Sequence, residues 1–375
     1  MSKILNRYDL QTRREDLDAL YPGAQVWSAR DTTDGGDVTV VAYATGAGET
    51  QSTTKRRLWS AEVRKLFRLS CQPFDPSLIG FVDGGSDADR QWLVLVMQPV
   101  DLPSMAHWAR NATDAQPCFS QWRGSNQEYR AEIWGHIGHL FKALSALHES
   151  RIVHRRIQPE NLFIDESTSR DQPGFIKLGR FEASTFFNAV RRTEGEPADV
   201  LSIDQRWYHP TLPNYQGRVI AGTPAGDIYS MLITIVWLLT ARPNNKQDMI
   251  RFREKLVQGT GADSIRRFIL TEAIAMLPQQ AERRFFRQLL KPRFPSTALA
   301  SDYQLRAKAV ESIFRGEKGD SGPLCIVVST TTIDELTRLL TSNGCSASWD
   351  EWLPKQLADA RLAIGTCDVE KGVWQ

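Results

Sequence analysis

The apolar pattern of this chain changes period once, near residue 130, and that change limits the possible folds more than any other feature. Before it, apolar residues come in short β-prone runs: Gln25-Val26-Trp27-Ser28-Ala29, Val38-Thr39-Val40-Val41-Ala42-Tyr43, Leu78–Val82 and Trp92–Met97. The turn cluster Asp34-Gly35-Gly36-Asp37 separates the first two, and Asp83-Gly84-Gly85 is expected to join the last two. One helix interrupts them, over about Thr54 to Leu69, with Leu58, Val63, Leu66 and Leu69 at helical spacing. After the change, Ile133, Ile137, Leu140, Leu144 and Leu147 fall at i, i+4, i+7, i+11 and i+14, the stripe of an amphipathic helix. Further helices are expected at 227–240, 262–276, 281–290 and 302–315. Strands first and helices afterwards predict an α+β fold with a strand-rich lobe and a helical lobe.

The end of the chain reads as a separate piece. Gly316 to Pro323 has the composition of a linker. An apolar strand, Leu324 to Val328, follows it, and then two capping boxes, Thr332 with Glu335 and Ser348 with Glu351. The expected organisation is a main domain over 1–315, a linker over 316–323 and a small α/β-like extension over 324–375. A chain of 375 residues is long enough for both.

Bulk properties exclude several classes. A hydrophobic content of 41% with 24% charged residues is that of a soluble globular protein. The net charge of +2 gives no global attraction to nucleic acid or membrane. The local run Lys55-Arg56-Arg57 reads as a solvated helix face. Cys71, Cys118, Cys325, Cys345 and Cys367 form no CxxC pair, which argues against zinc and fits reduced thiols in the cytoplasm. The start, MSKILNRYDL, lacks a signal-peptide core, and Ile228 to Leu239 is too short to span a bilayer. His107, His136, His139 and His148 have no acidic or thiol companions at ligand spacing, so ordinary packing or surface placement is expected and no metal. Trp108, Trp122 and Trp134 read as core more than as interface.

One segment carries more information than the pattern around it. Leu147-His148-Glu149-Ser150-Arg151-Ile152-Val153-His154-Arg155-Arg156-Ile157-Gln158-Pro159-Glu160-Asn161-Leu162 resembles the catalytic loop of protein kinases, H-R-D-x-x-x-x-N after a helix ending in Leu-His. Ile176-Lys177-Leu178-Gly179-Arg180-Phe181-Glu182 is similar to the strand and D-F-G motif of that family. Arg206-Trp207-Tyr208-His209-Pro210 resembles the region of A-P-E, and Asp227-Ile228-Tyr229-Ser230 the start of the buried large-lobe helix. Upstream, Val41-Ala42-Tyr43-Ala44 resembles V-A-I-K, and Glu62 the glutamate of the small-lobe helix. The resemblance spans about residues 7 to 315. It implies a two-lobed kinase-like fold, with an N-lobe over about 7–100 and a C-lobe over about 101–315.

The same resemblance shows what is missing. The base of H-R-D is Arg156, and a guanidinium stays protonated at physiological pH. The metal-binding aspartate of D-F-G is Arg180, and the glycine is Glu182. The phosphate-holding lysine is matched to Ala44, the catalytic-loop lysine is Gln158, and the region Asp18 to Ser28 offers only Gly23 for a phosphate loop. Asn161 and Glu62 remain from the motif positions. His154, Phe181 and Leu66 match the hydrophobic column between lobes, Asp227 an acceptor for the catalytic-loop backbone, and Ala42 and Val26 adenine-pocket walls. Scaffold without chemistry implies a catalytically inactive pseudokinase that binds a protein partner as a scaffold or regulator, with no cofactor. An atypical kinase-fold enzyme and a nucleotide sensor are the other readings. Arg155 reads either as paired with a carboxylate of the segment 184–206, which holds Thr193, Glu194 and Glu196, or as solvated, and Glu62 either as surface-exposed or as paired with Arg180.

Overall fold

The computed structural model describes residues 3–18, 21, 23–46, 49–100, 104–106, 122, 126–186, 223–240, 274, 277, 279–290, 294–295 and 297–316, with 367–368 and 373–374. It is a mixed α/β structure. Six antiparallel strands, β1 (Lys3–Ile4), β2 (Tyr8–Arg13), β3 (Gln25–Asp31), β4 (Asp37–Ala44), β5 (Phe81–Asp87) and β6 (Trp92–Met97), form a curled sheet in the order β1-β2-β3-β4-β6-β5. A short helix, α1 (Glu15–Asp18), leads into β3, and α2 (Glu49–Ser70) connects β4 to β5.

Strand β4 is central, paired with β3 at Val26↔Val41 and with β6 at Val41↔Leu95. It is buried along nearly its whole length, so both of its faces are covered. Val38 and Val40 join Ile4, Tyr8, Ala29, Val94 and Val96 in one apolar layer. Successive side chains of a strand point to opposite faces, so Val41 and Tyr43 belong to the other face, where α2 lies. The Trp59 indole of α2 donates to the Val94 carbonyl (2.8 Å) and Lys55 Nζ to the Ala44 carbonyl (3.1 Å), which anchors the helix to the sheet.

One strand departs from expectation. Of the run Leu78–Val82 only Phe81 and Val82 are strand: β5 begins at Phe81, and Leu78 forms a single parallel bridge to Leu178. Asp83-Gly84-Gly85 is not a turn but the middle of β5. The glycines are there because neighbours come close. A Cβ on Gly84 would lie 3.2 Å from Val63 of α2, and one on Gly85 would lie 3.2 Å from Leu5.

The helical part follows the apolar stripe. Helix α3 (Gln127–Glu149) is capped by Asn126, whose side chain accepts from the Glu128 N–H, and it buries Ile133, Ile137, Leu140, Leu144 and Leu147. Helix α4 (Pro224–Thr240), α5 (Gln280–Phe285) with a 3-10 turn at Arg287–Leu290, and α6 (Ala300–Arg315) match three of the expected helices. Most of the expected helix at 262–276 lies outside the described residues. Among the described residues between α3 and α4 are four short strands: β7 (Ile152–Val153), β8 (Leu162–Ile164), β9 (Ile176–Leu178) and β10 (Thr185–Phe186). β7 pairs with β10 and β8 with β9, all antiparallel. These ladders bring the loop 154–161 beside the loop 179–184, which places the two motif segments together.

The chain divides into two compact units, 1–311 and 312–375. In the second, β11 (Cys367–Asp368) pairs with β12 (Val373–Trp374). The strand expected at 324–328 and both capping boxes lie outside the described residues. Among the described residues no helix is long and apolar enough to cross a membrane.

Candidate functional site

Two loops meet over Asp227, in the first turn of α4. Its carboxylate accepts the backbone N–H of His154 (2.7 Å) and of Arg155 (2.8 Å), and lies 3.2 Å from His148 Nε2. The His154 ring is fully buried, with Nε2 3.0 Å from the Gly179 carbonyl and Nδ1 accepting from the Arg156 N–H at 3.2 Å. A carbonyl can only accept, so the proton sits on Nε2. Burial lowers the pKa of this ring and keeps it neutral. Phe181 packs edge-on against it, centroids 5.1 Å apart.

Above this floor the two motif arginines converge on one carboxylate. Arg156 Nη1 donates to Glu182 Oε1 at 2.7 Å, and Arg180 Nη2 donates to the same oxygen at 2.8 Å. Arg180 Nη1 also donates to Asn161 Oδ1 (3.1 Å), and Asn161 Nδ2 donates to the Arg156 carbonyl (2.5 Å). The side chains of Arg180 and Glu182 are each 3% exposed. Arg180 holds a left-handed backbone (φ 66°), as does Arg155 (φ 66°). For a non-glycine residue that conformation costs about 1–2 kcal/mol, so these hydrogen bonds fix a strained turn. Burial and the nearby Arg180 charge lower the pKa of Arg156.

Helix α2 closes the cluster from the sheet side. Glu62 is fully buried, and its Oε1 accepts the Phe181 N–H at 3.2 Å. Burial, and then the charge of Glu182, push its pKa up to about 8. Buried Lys65, one turn further along, lies 5.5 Å from the Phe186 ring centroid, a cation–π contact that holds β10 to the helix. Two tyrosines complete the surroundings. Tyr21 precedes β3 and Tyr43 lies in β4; both are buried, and burial followed by the charges of Glu62 and Glu182 raises both phenols well above the ordinary value. The Arg180 guanidinium lies 5.8 Å from the centre of the Tyr21 ring.

The structure gathers Glu62, Arg156, Asn161, Arg180 and Glu182 around Phe181, and leaves Ala44 out. Ala44 ends β4 and contributes its carbonyl to Lys55. The β4 side chain that shares the surroundings of Glu62 and Arg180 is Tyr43. Motif counting alone sets Ala44 there, whereas strand alternation from Val38 and Val40 assigns positions 41 and 43 to that face. The candidate Glu62–Arg180 pair does not form: Glu182 and Asn161 take the guanidinium, and Glu62 takes the Phe181 N–H. Arg155 is buried. The carboxylates of Glu194 and Glu196, its candidate partners, lie with Thr193 outside the described residues. Gln158 precedes the 3-10 turn Pro159–Asn161 and accepts the Asn161 N–H on its carbonyl. His136 stacks on Phe175 (5.2 Å) beside Trp122 (5.8 Å), held down to about pKa 4 chiefly by burial, as a neutral core ring. Among the described residues no group of three or more His, Cys, Asp or Glu side chains is placed to hold a metal ion.

The arrangement joins elements, and its ionisable groups differ in how readily they change charge. The arginines cannot give up a proton near neutrality, and the His154 nitrogens are both engaged. Glu62 is the exception, with a testable consequence. Its folded-state pKa of about 8 exceeds its ordinary value of 4.5. The folded chain therefore keeps a proton there that the unfolded chain has released. This group's effect on stability worsens as pH rises from the lower value toward the higher, and is most unfavourable above both. Glu62→Gln, which cannot ionise, is expected to melt higher than the parent above pH about 8 and to converge with it in mild acid. Parallel melting curves for the two proteins across that pH range would contradict this.

No family model matches the chain, and a search of curated proteins returns no significant match.

Proposed function

We propose that the chain has the two-lobed arrangement of a protein kinase-like domain and works as a protein-binding module that transfers no phosphate. The observation that supports this reading best is the state of Asn161. Its oxygen is taken by Arg180 and its nitrogen by the Arg156 carbonyl, while both guanidiniums are held by Glu182. A phosphoryl-transfer site needs carboxylates and an amide oxygen turned toward magnesium, and a base on the substrate hydroxyl. Here fixed cations stand at the base and metal positions, and the surviving amide is bonded to one of them. The Tyr21 ring over Arg180 is a further support, since it comes from the segment in which a phosphate loop is expected. The scattered cysteines fit a cytoplasmic protein.

Two measurements test the reading. Incubation with labelled ATP and Mg²⁺ or Mn²⁺ is expected to give no incorporation above a heat-killed control. A melting curve with Mg-ATP is expected to coincide with one without it. A ligand at about 100 times its Kd stabilises a fold by roughly 2.7 kcal/mol, so binding would be plain. A shift without incorporation would favour a nucleotide sensor. Incorporation that Asn161→Ala abolishes would favour an atypical enzyme and overturn the proposal.

A further inference from the structure

The outward face of α2 joins a basic stripe to exposed phenylalanines. Arg57, Arg64 and Arg68 stand seven and four residues apart, on one side of the helix, and all three are exposed. Beside them Phe67 is 58% exposed, and Phe74, just past the helix end, is 46% exposed. Phe67 lies edge-on to Phe81, centroids 6.2 Å apart. Next to this pair is a small pocket of mixed lining, with Leu69, Phe74 and Phe81 beside Ser70, Gln72 and Asp75. Its frame is already fixed. The Leu178 N–H donates to the Ser77 carbonyl (2.8 Å), the Ile79 N–H to the Leu178 carbonyl (3.0 Å), and the Ser150 hydroxyl to Gln72 Oε1 (2.9 Å). Lys142, one turn before Ala146, lies 4.0 Å from the Asp75 carboxylate at this pocket and balances its charge, so the basic character of the face rests on the three arginines.

Two exposed phenylalanines beside a basic stripe are an unusual use of surface. Aromatic anchors beside arginines are the composition of protein–protein contacts. We propose that this face docks an acidic segment of a protein partner. One apolar side chain of the segment packs against the exposed Phe67 and Phe74 rings while its carboxylates meet Arg57, Arg64 and Arg68. The proposal rests on the binding-module reading and gives that module its surface. Charge complementarity to the three arginines selects an acidic occupant, and the two exposed phenylalanines select a peptide over a nucleic acid, which would bring the charge without the apolar anchor.

Displayed random peptides selected on the full chain are the probe. The enriched sequences are expected to combine several Asp or Glu with one Phe, Leu or Trp. The tightest of them, made synthetically and labelled, is expected to bind at least about tenfold more weakly to Arg64→Glu/Arg68→Glu, and separately to Phe74→Ser, with affinity falling as salt rises. The arginines are solvent-exposed, so an unchanged melting temperature of the double variant shows that folding is intact even if Phe74→Ser fails to fold. No enrichment, enrichment of neutral or basic peptides, or equal binding to the double variant would overturn the proposal. An oligonucleotide or a phosphatidylserine vesicle that binds as tightly as the peptide, and is lost in the same variant, would overturn the choice of a protein partner. The Mg-ATP melting curve separates the two claims: failed docking with no nucleotide response leaves the binding-module reading standing, whereas a nucleotide response removes it.

Discussion

Replacing Glu182 with alanine is expected to destabilise the fold by about 3–5 kcal/mol, the usual consequence of removing one partner from a buried ion cluster. A single oxygen of Glu182 serves both Arg156 and Arg180, and neither guanidinium can shed its proton when the carboxylate goes. Two cations would be left in a region where Arg180 is only 3% exposed and Arg156 only 15%. Glu182→Gln keeps an acceptor but removes the charge, so it should fall between parent and alanine. Replacing all three residues by apolar side chains of similar size should recover much of the loss, because no desolvated charge then remains. Urea unfolding of the set gives the order. A midpoint for Glu182→Ala equal to that of the parent would show that the cluster does not hold the two loops together. Domains are stable by only about 5–15 kcal/mol, so the alanine variant is expected to approach the edge of folding.

A loss of the same size, about 3–5 kcal/mol, is expected for Glu282→Ala, at a separate place in the fold. Glu282 Oε1 accepts from the Arg130 guanidinium and, at 2.8 Å, from the Trp134 indole N–H. Its other oxygen receives the Gln279 N–H at 3.2 Å and so caps α5. The Glu282 side chain is 0% and that of Arg130 2% exposed, and Arg130 also donates to the Trp122 carbonyl at 3.0 Å. One carboxylate thus ties α5 to α3, with Trp134 against Phe285 at 4.8 Å. Glu282→Gln retains the indole bond and is expected to lose less. Tryptophan fluorescence during urea unfolding reports this directly, since Trp134 changes surroundings in the alanine variant. Glu182 and Glu282 share no partner among these bonds, so the two losses should add to within a few tenths of a kcal/mol. A marked shortfall would mean that the two clusters are coupled.

Much of this was legible in the residues before any coordinates. The stripe from Ile133 to Leu147 gives α3, and the run Trp92–Met97 gives β6 with its observed limits. The resemblance of Asp227-Ile228-Tyr229-Ser230 to the start of the large-lobe kinase helix implies an acceptor for the loop backbone, and Asp227 accepts the N–H groups of His154 and Arg155. The failures have physical reasons. β4 is apolar on both faces, so alternation did not announce which side faces α2, and counting along a motif set Ala44 where Tyr43 stands. Asp83-Gly84-Gly85 carries turn residues, yet its glycines answer to the close approach of Val63 and Leu5, which only tertiary packing creates. Glu182 was read as the loss of a glycine. Its role as acceptor for two arginines depends on burial, and charged residues are seldom buried unless paired. Nothing near Tyr21 in the sequence signals that its ring meets Arg180.

Because one carboxylate serves two arginines, the residues at 156, 180 and 182 cannot drift independently. An aspartate at 180 would set two acids side by side and leave Arg156 with a contested partner. An aspartate at 156 would do the same to Arg180. A neutral residue at 182 strands both cations. Each single step leads downhill in stability, while the simultaneous exchange of all three need not. In the space of sequences the cluster behaves as a ratchet: once closed, gradual substitution cannot reopen it, and lineages of this chain are expected to keep or exchange these three residues as one character.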